Sequence, residues 1–143
     1  MNKIISLLKK YREVICYLIF GVLSTIVNLA VYYGLTLTIL NPNNAIHLQC
    51  ANIISWLAAV IFAYITNRKY VFKSQSTNIK KELTDFFIAR IITLIMDMLI
   101  MFLGVSILKG NDKIIKILSQ VIVIVSNYIF SKLFVFKKKK LSN

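Results

Sequence analysis

The sequence predicts an all-α integral membrane protein, four transmembrane helices in two repeated helical hairpins, with both termini cytoplasmic. Composition is the first reason. The 143 residues are 58% hydrophobic and only 16% charged, against ~25% charged in soluble domains, and the mean hydropathy is +0.74. The second is that four apolar stretches each reach the roughly 20 residues needed to cross a bilayer. The third is the clustering of Lys and Arg between and outside those stretches. A water-soluble enzyme, a zinc module and a disulfide-stapled secreted domain are excluded. A net charge of +13 would point to nucleic acid in a soluble chain. Here its placement explains it, and no nucleic-acid partner is expected.

The expected spans are 14–40, 45–66, 86–108 and 114–136 within a single domain covering 1–143. The first carries no charge, and the second has only His47 near its start. Arg90 and Asp97 interrupt the third, and Lys116 and Lys132 lie near the ends of the fourth. Asn41-Pro42-Asn43-Asn44 and Gly110-Asn111-Asp112 are turn signals that pair the spans into hairpins. The N-terminal apolar run is too long for the about 7–15-residue core of a signal peptide and lacks an A-x-A-type cleavage site. Cys16 and Cys50 fall near opposite ends of neighbouring spans, ~30 Å apart, which forbids a disulfide. Neither has the neighbours of a metal site, so no metal and no cofactor are expected.

The basic residues set the orientation. Lys3, Lys9, Lys10 and Arg12 precede the first span, and Arg68, Lys69, Lys73, Lys80 and Lys81 fill the middle loop. Lys132 and Lys137 to Lys140 close the chain. The first short loop has none, and Lys109, Lys113 and Lys116 surround the last. Positive charge favours the cytoplasmic side, which places both termini and the middle loop on the cytoplasmic face of the membrane. The lysine tail attracts anionic lipids.

The chain also repeats. An offset of 69 pairs Tyr17 with Phe86, Ser24 with Thr93, and Asn28 with Asp97. An offset of 64 pairs Ser55 with Ser119, Tyr64 with Tyr128, and 68–73 (Arg-Lys-Tyr-Val-Phe-Lys) with 132–137 (Lys-Leu-Phe-Val-Phe-Lys). The repeat halves are about 14–73 and 83–137. Each has two spans, so both start on one side of the membrane, as in parallel-repeat transporters. The second half is the more polar: Arg90 replaces Gly21, Asp97 replaces Asn28, Lys116 replaces Asn52, Gln120 replaces Trp56 and Asn127 replaces Ala63.

At 100° per residue the polar groups of each span share a face. The faces are Gly21, Ser24, Thr25, Asn28 and Tyr32; Asn52, Ser55, Ala59, Ala63, Thr66 and Asn67; Phe86, Arg90, Thr93, Asp97 and Gly104; and Lys116, Gln120, Asn127 and Ser131. Lipid cannot satisfy such groups, so they should face a shared interior. Asn28, Asn52 and Ser55 suit interhelical bonding worth ~0.6 kcal/mol each. Asp97 is harder to place, since an ionised Asp at mid-span costs ~2.5–3.5 kcal/mol on insertion scales. Arg90 lies ~10 Å away along the same helix, out of direct reach. Asp97 therefore needs another partner or a proton, and is either proton-linked or structural. Arg90 offers a planar fork suited to phosphate. Lys116 and Lys132 either snorkel to the headgroups or act on a ligand.

Thr66-Asn67-Arg68-Lys69-Tyr70-Val71-Phe72, Arg90, Ser126-Asn127-Tyr128 and Ser131-Lys132-Leu133-Phe134-Val135-Phe136 resemble the GtrA-like family of four-span bacterial membrane proteins. The likeness runs from about Tyr17 to Lys137. It implies a part in cell-surface polysaccharide or teichoic acid glycosylation, by flipping a polyprenyl-phosphate-linked sugar to the outer leaflet. The family's motif residues fall on Asn67, Arg68, Arg90, Lys116 and Asn127, with Val71, Phe72 and Phe86 packing beside them.

The leading expectation is a flippase without covalent chemistry and therefore not an enzyme. Arg90 with Arg68 or Lys132 would take the phosphate at the cytoplasmic entrance. Asn67, Asn127 and Gln120 would meet the sugar, and Lys116 would receive the phosphate near the outer face. Four helices are few for such cargo, so a homo-oligomer or a membrane glycosyltransferase partner is expected. The alternatives are a non-transporting subunit that stabilises such a glycosyltransferase, and a small cation exporter built on Asp97.

Overall fold

The computed structural model describes residues 1–41 and 43–137. Pro42 of the expected turn and Lys138 to Lys140 of the tail lie outside the described residues. Among the described residues every regular element is helical, and four helices are long and apolar enough to cross a membrane. The chain divides into two compact units, Met1–Lys73 and Ser74–Asn143.

In the first unit a short helix, α1 (Asn2–Lys10), precedes the long α2 (Arg12–Thr38). The span expected at 14–40 starts two residues earlier and stops two short. Its end is tightened because Ile39 and Leu40 both donate to the Leu35 carbonyl, at 2.9 and 2.8 Å. The loop holds its shape through Asn41 N–H donating to His47 Nδ1 at 3.1 Å. Asn44 caps α3 (Ala45–Thr66), its side chain accepting from Ile46 N and His47 N at 2.9 and 3.3 Å. These limits match the expected 45–66. The helix continues into a π-turn, Asn67–Val71, closed by Phe72 N–H to the Asn67 carbonyl at 2.9 Å. Lys73 then turns left-handed, with φ 48°.

α2 packs on α3. Ala51, Ser55, Ala59 and Ala63 recur every fourth residue on α3 and all are buried. Small side chains at that spacing bring two helix backbones close, where packing rather than water exclusion holds them in lipid. Asn52 is exposed, so the bonding role expected of it has no buried setting. The Tyr17 ring meets Phe72 at 6.4 Å and Phe20 stacks on Tyr70 at 5.4 Å, fixing the π-turn to α2.

In the second unit α4 (Ile79–Met101) starts seven residues before the expected span at 86. Asn78 supplies the reason, since its side chain accepts from Lys81 N at 3.1 Å and starts the helix in polar sequence. Lys80 and Lys81, expected in the middle loop, therefore lie on the first turn of α4. Glu82, one turn in, is buried and accepts from Ser74 Oγ at 2.5 Å. α4 ends in a π-turn, Phe102–Ile107, followed by left-handed Lys109 at φ 54°. Asn111 caps α5 (Asp112–Phe130), which runs into a third π-turn, Ser131–Val135, rather than reaching 136 as regular helix. α4 packs on α5. A glycine is required at 104: a Cβ there would lie 2.6 Å from Ile115 Cγ2, a branch too close to its own backbone to swing away.

The outward faces are apolar, with Ile19, Val22, Ile26, Ile53, Ile92, Leu99 and Ile122 all exposed. Hydrocarbon is the solvent that suits them. Cys16 and Cys50 are both free thiols.

Candidate functional site

The polar chemistry of the second unit forms a ladder along the α4–α5 seam. Its lower rung joins Asp97 to one face of α5. Lys116 Nζ lies 2.7 Å from Asp97 Oδ2, Ser119 Oγ donates to Oδ1 at 2.5 Å, and Gln120 Nε2 reaches Oδ1 at 3.4 Å. Lys116, Ser119 and Gln120 stand at i, i+3 and i+4, so a single helix face presents all of them to one carboxylate. The pair is only partly withdrawn, with side-chain exposures of 47% for Lys116 and 16% for Asp97.

One helical turn from Asp97 along α4, Thr93 makes the upper rung. Its hydroxyl lies 2.8 Å from Asn127 Oδ1 and 3.1 Å from the Arg90 carbonyl, and its one proton is shared between them. Thr93 and Asn127 are both buried. Beyond this rung the Arg90 guanidinium lies 4.7 Å over the Phe86 ring, a cation–π contact. Phe86 is fully buried and its ring meets Phe136 at 5.9 Å. Lys132 Nζ sits 3.4 Å from the Tyr128 hydroxyl and 5.6 Å over the same ring.

The expected site residues thus separate by what they touch. Asp97, expected to need a partner or a proton, has its partner on α5. Lys116, expected to stand open for phosphate near the outer face, is already paired with that acid. Gln120 joins the same cluster, and Asn127 is tied to Thr93. Arg90 is the exception: among the described residues its charge faces an aromatic ring and no acid. Ser119 and Thr93 were not expected at the site. The first is three residues after Lys116 and aligns with Ser55, and the second lies midway between Arg90 and Asp97, so both had a signal in spacing.

Asn67, Arg68, Val71, Phe72 and Asn28 belong to the first unit. Asn67 opens the π-turn, is 3% exposed, and its Oδ1 has no hydrogen-bond partner among the described residues. Val71 and Phe72 are buried. Arg68 and Asn28 are half-buried. The Ser24 and Thr25 hydroxyls of the first polar face donate back to the Gly21 carbonyl at 2.7 and 3.2 Å. That local bond satisfies them inside a membrane without any interior partner.

On the second unit an apolar groove of 420 Å³ is lined by Ile88, Ala89, Ile92, Phe130 and Phe134, with Asp85 at its polar end. Arg90 does not line this groove: at 100° per residue it points about 150° from the middle of the face shared by Asp85, Ile88, Ala89 and Ile92.

The family model for the GtrA/DPMS transmembrane domain matches residues 16–136. The cell wall teichoic acid glycosylation protein GtcA of Listeria monocytogenes serovar 1/2a is 39% identical over 150 residues, covering 98% of this chain and all of that protein. GtcA of Listeria innocua is 39% identical over 132 residues, covering 90% of this chain and 88% of its own length. The uncharacterised membrane protein YwcD of Bacillus subtilis is 39% identical over 127 residues, 87% and 96% of the two chains. No solved structure matches the chain.

Proposed function

The chain belongs to the GtrA/DPMS transmembrane-domain family, a multi-pass membrane protein of bacteria, and we propose that it takes part in teichoic acid glycosylation by flipping a polyprenyl-phosphate-linked sugar. Relatives named for that glycosylation, aligned over nearly the whole chain, support the broader role. The flipping step rests on one observation. Within the α4–α5 seam the charge of Lys116 is cancelled by Asp97, while Arg90 keeps a positive charge against an aromatic face. A guanidinium held in a membrane span without an acid attracts a phosphate, which it binds through two parallel N–H donors.

Phosphate capture is therefore the role of Arg90, nearer the cytoplasmic face. The apolar groove on another face of α4, which Arg90 does not line, suits an isoprenoid chain, and Asp85 is the acid in its lining. In the first unit, taken by itself, Asn67 Oδ1 is buried with no donor among the described residues and is suited to a sugar hydroxyl. Lys116 becomes a second phosphate station only by exchanging its bond to Asp97 for one to the ligand. The bound acid also weakens the cation-exporter reading, which needs Asp97 open to its cargo.

This reading keeps both termini and the middle loop cytoplasmic, and the two hairpins as copies of one unit. Like features at the two offsets of the repeat, 69 and 64, support the copying. Phe72 N–H to the Asn67 carbonyl and Phe136 N–H to the Ser131 carbonyl close π-turns at 2.9 and 2.8 Å. Tyr17–Phe72 and Phe86–Phe136 are both tilted ring pairs, at 57° and 55°. A homo-oligomer or a membrane glycosyltransferase would supply the walls that four helices lack.

The test is reconstitution in liposomes with a polyprenyl-phosphate sugar, timing its appearance in the opposite leaflet. Acceleration by the wild-type chain that disappears with Arg90→Ala is expected. Folded wild-type protein without acceleration would overturn flipping and favour a subunit that works only beside its glycosyltransferase. The paired state of Lys116 is the observation that favours that second reading.

A further inference from the structure

The shortest helix is the least explained by the spans. α1 (Asn2–Lys10) contains Lys3, Lys9 and Lys10 and no acid. At 100° per residue, Asn2, Lys3, Ser6, Lys9 and Lys10 fall on one side, and Ile4, Ile5, Leu7 and Leu8 on the other, with Met1 continuing the apolar arc. No residue of α1 is buried. The apolar arc stands open, with Ile4 at 64%, Leu7 at 53% and Leu8 at 54% exposure.

A nine-residue helix with no packed face is marginal in water, because nucleation costs more than so few turns return. Something must cover it. The joint to α2 shows where it stands. Tyr11 leaves helical geometry, with φ −101° and ψ 12°, while its N–H still donates to the Leu7 carbonyl at 2.9 Å. α2 starts at the next residue and is itself a candidate span, so the joint lies where the chain enters hydrocarbon. Lys10 Nζ sits 5.6 Å over the Tyr11 ring, an aromatic–cation pair at home among headgroups.

We propose that α1 is an interfacial anchor lying along the membrane surface. Its apolar arc enters the boundary between headgroups and acyl chains, and Lys3, Lys9 and Lys10 bind anionic phosphate headgroups. Charge selects this occupant over a second copy of the helix. Two such helices packed through their apolar arcs would leave every lysine on their outer sides with no acid of α1 to offset it, whereas anionic lipid complements them. The anchor is independent of the flipping reading and needs only that α2 spans the membrane.

Nitroxide labelling of the full chain tests it. In a Cys16→Ser, Cys50→Ser background, Leu8→Cys places a label on the apolar arc and Ser6→Cys one on the polar arc. The protein is reconstituted in phosphatidylcholine vesicles with and without phosphatidylglycerol, and label collisions with oxygen and with a water-soluble nickel chelate are compared. With phosphatidylglycerol, the oxygen-to-nickel ratio at position 8 should exceed that at position 6 roughly threefold or more. Removing phosphatidylglycerol, or the Lys3→Gln, Lys9→Gln, Lys10→Gln variant, should shrink the difference. Equal ratios would show a helix in water, and a position-8 label shielded from both reagents would show a protein-covered face. Either overturns the anchor, and an unchanged contrast without anionic lipid overturns its headgroup selectivity.

Discussion

In α2 and α3, the hydroxyls of Ser24, Thr25, Ser55 and Thr66 donate to carbonyls of their own helix. In α4 and α5 the bonds run across the pair, from Thr93 to Asn127 and from Lys116, Ser119 and Gln120 to Asp97. The first pair of helices is held by small side chains in close contact, and the second by a polar seam. Small-residue packing leaves no charge behind, while a seam of charged groups can. The positions that differ include those at which Gly21, Asn28, Asn52, Trp56 and Ala63 stand where the second pair has Arg90, Asp97, Lys116, Gln120 and Asn127. Substituting the first set into the second tests how much of the function that seam carries.

The largest effect is expected at Arg90. Arg90→Gly gives the second pair the residue of the first and removes the guanidinium. Charge-assisted bonds to phosphate are worth about 1.5–3 kcal/mol each, so leaflet exchange should fall at least about 10- to 100-fold. Arg90→Lys keeps the charge but loses the fork, and should recover only part of the rate. Arg90→Lys should keep wild-type expression and thermal stability in detergent, and Arg90→Gly should lose only about 1 kcal/mol, the cost of a helix-interior glycine, because Phe86 remains packed on Phe136. Wild-type transport in Arg90→Gly would remove the functional asymmetry of the two pairs.

Lys116→Asn is next. It strands Asp97 in the seam with Ser119 and Gln120 as its remaining donors. An uncompensated mid-span Asp costs about 2.5–3.5 kcal/mol, and the melting temperature should drop accordingly. Adding Asp97→Asn gives the neutral pair of α2 and α3, and should restore stability. The double-mutant cycle then separates two roles. Stability restored without transport means that Lys116 also meets the ligand. Both restored means that the ion pair is structural alone.

These contrasts were partly legible in the sequence. Hydropathy found the four spans because lipid-facing residues such as Ile26 and Ile122 must be apolar whatever the packing inside. It missed the first turns of α4, where Lys80, Lys81 and Glu82 are polar and only the Asn78 cap marks a helix start. It missed α1 because nine residues with three lysines have no span-like hydropathy, although their two faces separate cleanly. Periodicity found Lys116, Gln120 and Asn127 on one face of α5. It could not pair Lys116 with Asp97, since the register between antiparallel helices is set by the loop. That loop depends on the Gly104–Ile115 contact and on Gly110 N–H donating to the Gly104 carbonyl at 2.9 Å. The π-turns had no signature in propensity, although the repeated Val-Phe-Lys endings mark two of the three.

That loop supplies a smaller prediction. Gly104→Ala drives a Cβ to 2.6 Å from Ile115 Cγ2, and overpacking of this kind costs about 1–3 kcal/mol. The melting temperature should fall, and Ile115→Ala in the same chain should recover part of the loss by making room. Asn127→Ala, which copies Ala63, removes the cross-helix bond to Thr93. Such bonds in membranes average about 0.6 kcal/mol, so its effect on unfolding should be smaller still, with any larger loss appearing in transport alone.

Gly21→Ala should have the smallest effect. Position 21 pairs with Arg90 at the 69-residue offset, and a Cβ there meets nothing within 4 Å. The glycine's carbonyl already accepts from Ser24 and Thr25, and a methyl group disturbs neither bond. Alanine also favours helix over glycine by up to about 1 kcal/mol. The variant should therefore melt at or slightly above the wild-type temperature and transport at the wild-type rate. A marked loss in either would show that another helix or a ligand needs the bare backbone at Gly21. The first pair would then carry a site of its own, and the asymmetry would lie in what each pair binds rather than in whether it binds.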